Sequence, residues 1–600
     1  MVPPVLQRVC TGYQHIDALV DIAASGARVP LLRPVPRQRT YPANHKSAVE
    51  RYPVLVKNIR KEQDLWRCIV VDLDILEIWP EVHISPFGVV DKGDADPATT
   101  SRTIHDLSFP AGHSLNDYTD TSRICTPTFE RCDAIAAEVL RQRGVYPGAV
   151  VKLQAGVVAS AFRNVCTHSQ RVFLFGGRLE PDNALVIDMS AAFGWSGSPV
   201  SYGVVGGAIA FLHGVSVNRY HPDGMFNYYW VDDHINVAAD LGINCQDAEH
   251  SLRHAMTTIL GPDAVNEDKL SEWGTRHQAL GLIFDTVSGT ISMPPAKVIK
   301  ATACVAAAYR SSDLSRTEYR SLLGRLRHVA TCIRPARPFL QRLRMQERRL
   351  RRWQRVPVTA PMKQDLRWWA IILQSPLLNG VPMEYFHRSP EPAVVVEMDA
   401  SDSGLCALIP SDRGVLHYPF SVAERGLIEA TKLEPQVGFD INYRELLSCA
   451  FAVHTWGRRW ASQRRPADPL LHVQFKIDNT SAVAWHNRMA SCNFRAQTIV
   501  CLLGFWEVGL GLRFSAVHVA GAVNRIADAG SRTSSGAAMA SFFQELTSGW
   551  SQVEMLPDIA ELEATWHSIM AFYLRAHSVA ASTYSKYLAA FRAWHSWTTR

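Results

Sequence analysis

From Ser85 onward the chain breaks into short apolar runs separated by turn residues. Phe87-Gly88-Val89-Val90, Arg102-Thr103-Ile104-His105-Asp106-Leu107, residues 150–153 and residues 172–175 read as strands. Longer stretches with apolar positions at helical spacing predict helices over 61–76, 128–143, 159–165, 202–212, 246–260 and 317–329. A strand pair is expected near 280–292, turning at Ser288-Gly289, and helices dominate 297–374 with Pro335 and Pro338 breaking the pattern. A Pro-rich joint, Ser389-Pro390-Glu391-Pro392, precedes a second β-rich unit. That unit opens with Val394-Val395-Val396-Glu397-Met398-Asp399 and ends near Arg532. The Ser/Ala/Gly stretch 533–538 reads as a linker, and a last helical piece runs to Arg600.

Six hundred residues exceed what one hydrophobic core organises, so several domains are expected. Hydrophobic content of 47% and charged content of 20% are those of globular protein. The net charge of +6 is unevenly spread: Arg334, Arg337, Arg342, Arg344, Arg348, Arg349, Arg351, Arg352 and Arg355 face a single acid, Glu347. Such a run is either a solvated basic face or a surface that tracks phosphates. The twelve cysteines show no zinc spacing, so reduced thiols in a cytoplasmic or nuclear protein are expected. The amino-terminal residues lack the apolar core of a signal peptide, and the apolar run 204–212 is too short to span a bilayer. A soluble intracellular protein with no membrane partner is the expectation.

The chemistry concentrates at acids. In Tyr228-Tyr229-Trp230-Val231-Asp232-Asp233-His234 two adjacent carboxylates repel each other while aromatic neighbours desolvate them, a combination that calls for a cation. A surface turn or a helix N-cap also uses Asp. Farther on, Asp399 closes a strand-like run and Glu445 opens an amphipathic helix in Asn442-Tyr443-Arg444-Glu445-Leu446-Leu447. Asp478 ends Phe475-Lys476-Ile477, and Asp528 sits in Asn524-Arg525-Ile526-Ala527-Asp528-Ala529. Each acid alone is an ordinary cap or surface group; four delivered by strand, helix, strand and helix are a metal-binding pattern.

Taken in order over roughly residues 80–540, these segments resemble the reverse transcriptases of retroelements, most of all the DIRS-type elements that also carry a tyrosine recombinase. The resemblance implies an α+β and α/β multidomain protein. Residues 1–80 have no assigned role, 81–345 would form right-hand fingers, palm and thumb, and 346–392 a connection. Residues 393–535 would form a ribonuclease H-like α/β domain, 536–560 a linker, and 561–600 the start of an all-α recombinase core-binding domain.

In such enzymes a Lys and an Arg of the fingers grip nucleotide phosphates, roles the resemblance gives to Lys92 and Arg102. Phe162 matches the aromatic that excludes the ribose 2′-hydroxyl. Gly197, in Phe193-Gly194-Trp195-Ser196-Gly197-Ser198-Pro199, matches the turn whose backbone touches template and nucleotide. Lys269 matches a general acid for the pyrophosphate leaving group, and an exposed helix-end Lys reads equally well. Arg337, Arg342, Arg344, Arg348 and Arg349 would track the duplex. Asp232 and Asp233, and separately Asp399, Glu445, Asp478 and Asp528, would be catalytic and hold magnesium or manganese, two ions per active site. His518 matches a histidine near the second site, where a neutral core histidine is the other reading.

One departure is large. The family places an aspartate five residues before its aromatic, and here that position is Val157; residues 152–158 contain no acid. Asp188 is the nearest alternative. Without a bridging carboxylate two ions cannot be held in register, so the polymerase half is expected to be impaired and the ribonuclease half intact. The alternative expectation is a decayed nucleic-acid-binding remnant. Implied partners are an RNA template, a DNA primer, deoxynucleotides and an RNA·DNA hybrid.

Overall fold

Residues 151–157 and 233–239 carry β-branched and small apolar side chains that alternate poorly, so both faces of their strands must be covered. In the computed structural model Val151–Val157 (β1) pairs antiparallel with Asp233–Ala239 (β3), and Tyr228–Trp230 (β2) pairs with β3. The helices Asp133–Val145 (α1), Ser198–Gly214 (α2) and Asn244–Leu260 (α3) pack around this sheet. The structure describes residues 1–91, 96, 99–126, 128–130, 132–347, 350–351, 354–374, 379–387, 390–465, 470–553, 556, 558–559 and 562. They fall into two compact units, residues 1–280 with 284–289, and residues 281–283 with those from 290 onward.

The first unit also holds a three-stranded antiparallel sheet. Ala184–Asp188 lies at its centre, between Cys68–Asp72 and Gly176–Leu179. A hairpin pairs Phe87–Asp91 with Ser101–His105. Two expectations are corrected here. The helix expected over 61–76 ends at Asp64, having begun at Tyr52, because Cys68-Ile69-Val70-Val71 takes up a strand. Its β-branched residues favour the pleat over the helix. The strand expected at 172–175 is a 3₁₀ turn, Ser169–Leu174, and pairing starts only at Gly176.

The second unit opens with helices Pro295–Arg310 (α4), Arg316–Cys332 (α5) and Ala360–Gln374 (α6). A mixed six-stranded sheet follows. Val394–Ala400 (β4), Gly404–Ile409 (β5) and Gly414–Pro419 (β6) form an antiparallel meander. Leu471–Ile477 (β7) runs parallel to β4, and Leu512–His518 (β8) parallel to β7. Ile441–Ser462 (α7) and Phe494–Leu510 (α8) share one apolar cluster with Val396, Met398 and Phe475. Cys406, Leu408 and Val415 meet Ala527 of Arg525–Ser531 (α9) and Phe543 of Ala537–Leu546 (α10) in another. Every residue of β5 is buried between such layers.

The stretch after 536, read as a linker, closes this unit instead. Phe543 is 5% exposed, and Ser551–Gln552 (β9) adds a parallel strand beside β6. Small residues at 536–540 mimic linker composition, but the Phe542-Phe543 pair supplies the apolar contact that fixes the helix. Of residues 561–600, on which the recombinase-like reading falls, all but Leu562 lie outside the described residues, as do Lys92, Arg348 and Arg349. Among the described residues no helix is long and apolar enough to cross a membrane.

Candidate functional site

Two groups of acids are set by the backbone, one in each unit. In the first, Trp230 pairs with Asp233, so Val231 and Asp232 form a two-residue hairpin turn. Val231 has φ +55°, the left-handed region that β-branched residues avoid, so the tip holds strain of ~1–3 kcal/mol. Gly206 of α2 permits this close packing, since a Cβ there would lie 3.2 Å from the Val231 carbonyl oxygen. Val157 stands opposite Asp233 at the end of β1, and the Val158 amide donates to the Asp232 carbonyl at 2.9 Å. The position expected to lack an acid is therefore beside the acidic pair, and Val157 is buried.

Phe162 lies on the 3₁₀ turn Ala161–Asn164, its ring 5.1 Å from Phe193 and 5.9 Å from Tyr202. Burial, then the charge of Asp232, holds the Tyr202 hydroxyl far above its usual range. Burial, then Asp232, also raises Asp233, and the exposed Lys269 opposes the shift. Thus Val157, Phe162, Asp232, Asp233 and Lys269 belong to one neighbourhood. Asp188 serves elsewhere: it accepts from Arg163 Nη2 at 2.7 Å and lies 3.1 Å from His105 Nδ1, and Arg163 also donates to Glu62 at 2.8 Å.

Gly197 precedes the first residue of α2, where a Cβ would meet the Trp195 ring at 2.3 Å; packing alone demands glycine there. Arg102 is exposed, opposite Val90 in its hairpin. In the arginine run, Arg337 Nε donates to the Ala330 carbonyl at 3.1 Å, and Arg342 Nη1 to the Pro361 carbonyl at 2.8 Å. Arg334, largely but not fully enclosed, donates from Nη1 to the Phe514 carbonyl at 2.6 Å, and desolvation pushes its pKa down to about 9. Arg344 remains exposed. Part of the run thus braces the protein itself.

The second group is tighter. Asp399 is the last residue but one of β4, Asp478 follows the parallel neighbour β7, and Glu445 lies in the first turns of α7. One oxygen from each comes within 4.8 Å of the others. Asp399 and Glu445 are each 2% exposed. Glu445 Oε1 accepts the Ala400 amide at 3.1 Å, while Oε2 is buried with no partner among the described residues. Burial first, then the charges of Asp478 and Asp528, pushes Asp399 up to about 7, although a bond from Ser531 works against this. Burial, then Asp399 and Asp478, holds Glu445 well above the usual range.

Three carboxylates this close, Asp399 and Glu445 buried and Asp478 half-buried, are a hard-oxygen donor set for a divalent cation, and an orphaned buried oxygen suits the same ligand. Asp528, on α9, adds its charge to the group but bonds Arg532 Nε at 2.8 Å. His518 is exposed at the end of β8, paired with Ile477 and so adjacent to Asp478. Sequence reasoning passed over Asn524, which donates to the Met398 carbonyl at 2.8 Å, and Ser531, which donates to Asp399 Oδ2. No local pattern separates either from an ordinary polar residue at a helix end.

No known protein family and no curated protein matches the chain. Among solved structures, the foamy viral protease-reverse transcriptase dRH with double-stranded DNA is similar at TM-score 0.43 and 14% identity, over 86% of this chain and 81% of that one. The foamy viral protease-reverse transcriptase with an RNA/DNA hybrid gives 0.42 and 11%, over 86% and 62%. The same protein with double-stranded DNA gives 0.42 and 12%, over 86% and 96%. At these values the match assigns no role to any residue.

Proposed function

We propose that this chain is the reverse transcriptase and ribonuclease H protein of a DIRS-type retroelement, with the ribonuclease as its competent half. The convergence of Asp399, Glu445 and Asp478 on the ends of parallel strands and the start of a helix carries the reading. Magnesium or manganese, two ions per site, would be held there with Asp528 and would supply Lewis acidity for phosphodiester hydrolysis. The chain's own residues do the rest. The Ala400 amide fixes Glu445, and Gly521 passes close to Asp478, where a Cβ would just touch its Oδ2 at 3.4 Å. His518, across the ladder from Ile477, can carry a proton at the exposed rim. The substrate would be the RNA strand of an RNA·DNA hybrid.

The first unit would be the polymerase palm, with Phe162 against the sugar, Lys92, Arg102 and Lys269 at the phosphates, and template, primer and deoxynucleotides as partners. Val157 beside Asp233 favours the second reading for this half alone: a palm that binds nucleic acid but catalyses poorly. Incubating the full chain with an end-labelled RNA·DNA hybrid tests the proposal. RNA cleavage in magnesium that chelation abolishes is expected; intact RNA at every metal concentration would refute it.

A further inference from the structure

Ser531 closes α9, is 1% exposed, and is tied at both ends to the strand that carries Asp399. Its hydroxyl donates to Asp399 Oδ2. Its carbonyl accepts from Ser401 Oγ at 2.7 Å, and Ser401 Oγ accepts the Ser403 amide at 2.9 Å. A serine in the last turn of a helix usually returns its proton to a carbonyl one turn back. Such a carbonyl, that of Asp528, stands 3.0 Å from Ser531 Oγ. One hydroxyl proton serves one strong bond, and the carboxylate is the stronger acceptor and the nearer one.

Asp399 needs that restraint. Three carboxylates, Glu445, Asp478 and Asp528, load it or its neighbours with like charge, and the side chain of a strand-end aspartate can turn away from them. We propose that Ser531 is a positioning residue: its hydroxyl holds one oxygen of Asp399 and thereby keeps the other in place as a ligand for the divalent cation. The inference rests on the nuclease reading of the same site, but it concerns metal binding and is measurable without nucleic acid. Ser531 does not touch the scissile phosphate in this scheme. It acts through Asp399, in the way that partners of metal-ligating groups set their orientation.

The experiment compares the full chain with its Ser531→Ala and Ser531→Thr variants, all carrying Asp232→Asn and Asp233→Asn to remove the first unit's acidic pair from the signal. Manganese binding is followed by calorimetry in the absence of nucleic acid, and hybrid cleavage by magnesium titration. Alanine should weaken manganese binding by ~10–100-fold and raise the magnesium needed for half-maximal cleavage by a similar factor. The KM for hybrid should stay unchanged, because phosphate-tracking groups set it. Threonine keeps the hydroxyl and should restore binding. An alanine variant that folds and binds manganese like its parent overturns the inference, as does a folded threonine variant no better than alanine. If alanine does not fold, threonine is compared with the parent: manganese binding within about threefold of the parent upholds the inference, and a folded threonine variant that binds ~10-fold or more weakly overturns it. Manganese binding that depends on Ser531 in a protein that never cleaves hybrid would uphold Ser531 and remove the nuclease reading.

Discussion

Val157 stands opposite Asp233 across the ladder between β1 and β3, buried beside a carboxylate that burial and Asp232 already destabilise. In the proposed polymerase half, this is the position where a third acid would complete a two-ion site. Val157→Asp should therefore raise primer extension in magnesium at least about tenfold. A labelled primer on an RNA template measures it. Robust extension by the unmodified protein, lost in Asp232→Asn, would show that Val157 is not the limiting position.

Burial, with the charges of Asp478 and Asp528, pushes the Asp399 carboxyl from 3.8 up to about 7, so between those values the folded protein holds a proton that the unfolded carboxylate has released. Without divalent metal the contribution of this carboxyl to stability should then be full below about 3.8 and be lost as pH rises towards 7, by up to ~4 kcal/mol. Glu445 shifts in the same direction, so the titration belongs to the cluster. Melting temperature followed in EDTA between roughly pH 5 and 8 should decline, and magnesium or Asp399→Asn should flatten the decline. A profile identical in EDTA and magnesium would contradict this origin.

Much of the second site is legible from sequence because each acid interrupts a strong pattern. Val394-Val395-Val396 and Phe475-Lys476-Ile477 are strand runs that stop at Asp399 and Asp478, and Glu445 rides an amphipathic helix. The Asp232-Asp233 hairpin is legible for a similar reason, from the aromatic run before it. Ser531 and Asn524 are not, since their bonds reach 132 and 126 residues away in sequence. The strand Cys68–Asp72 is hidden because its partner, Ala184–Asp188, lies more than a hundred residues on. The arginine run predicts charge but not that Arg334, Arg337 and Arg342 spend donors on backbone carbonyls.

Asp188 shows the opposite case, an acid whose surroundings argue for structure. It is locked between Arg163 and His105, so Asp188→Ala should strand a buried guanidinium and destabilise the first unit by ~3–5 kcal/mol. The urea midpoint of that unit's transition reads the effect, while metal-dependent hybrid cleavage should be retained at low urea. An unchanged midpoint would mean that Arg163 finds solvent or that Glu62 suffices.

Asp478→Asn in the full chain tests the nuclease account most directly. With hybrid and magnesium, RNA-strand cleavage should fall more than ~100-fold, because the exchange removes a direct ligand and not merely its support. Hybrid affinity in a parallel binding assay should be nearly unchanged, since basic groups on phosphates carry it. Cleavage that survives the substitution, or affinity that falls in step with cleavage, would contradict the account and assign the acids to folding.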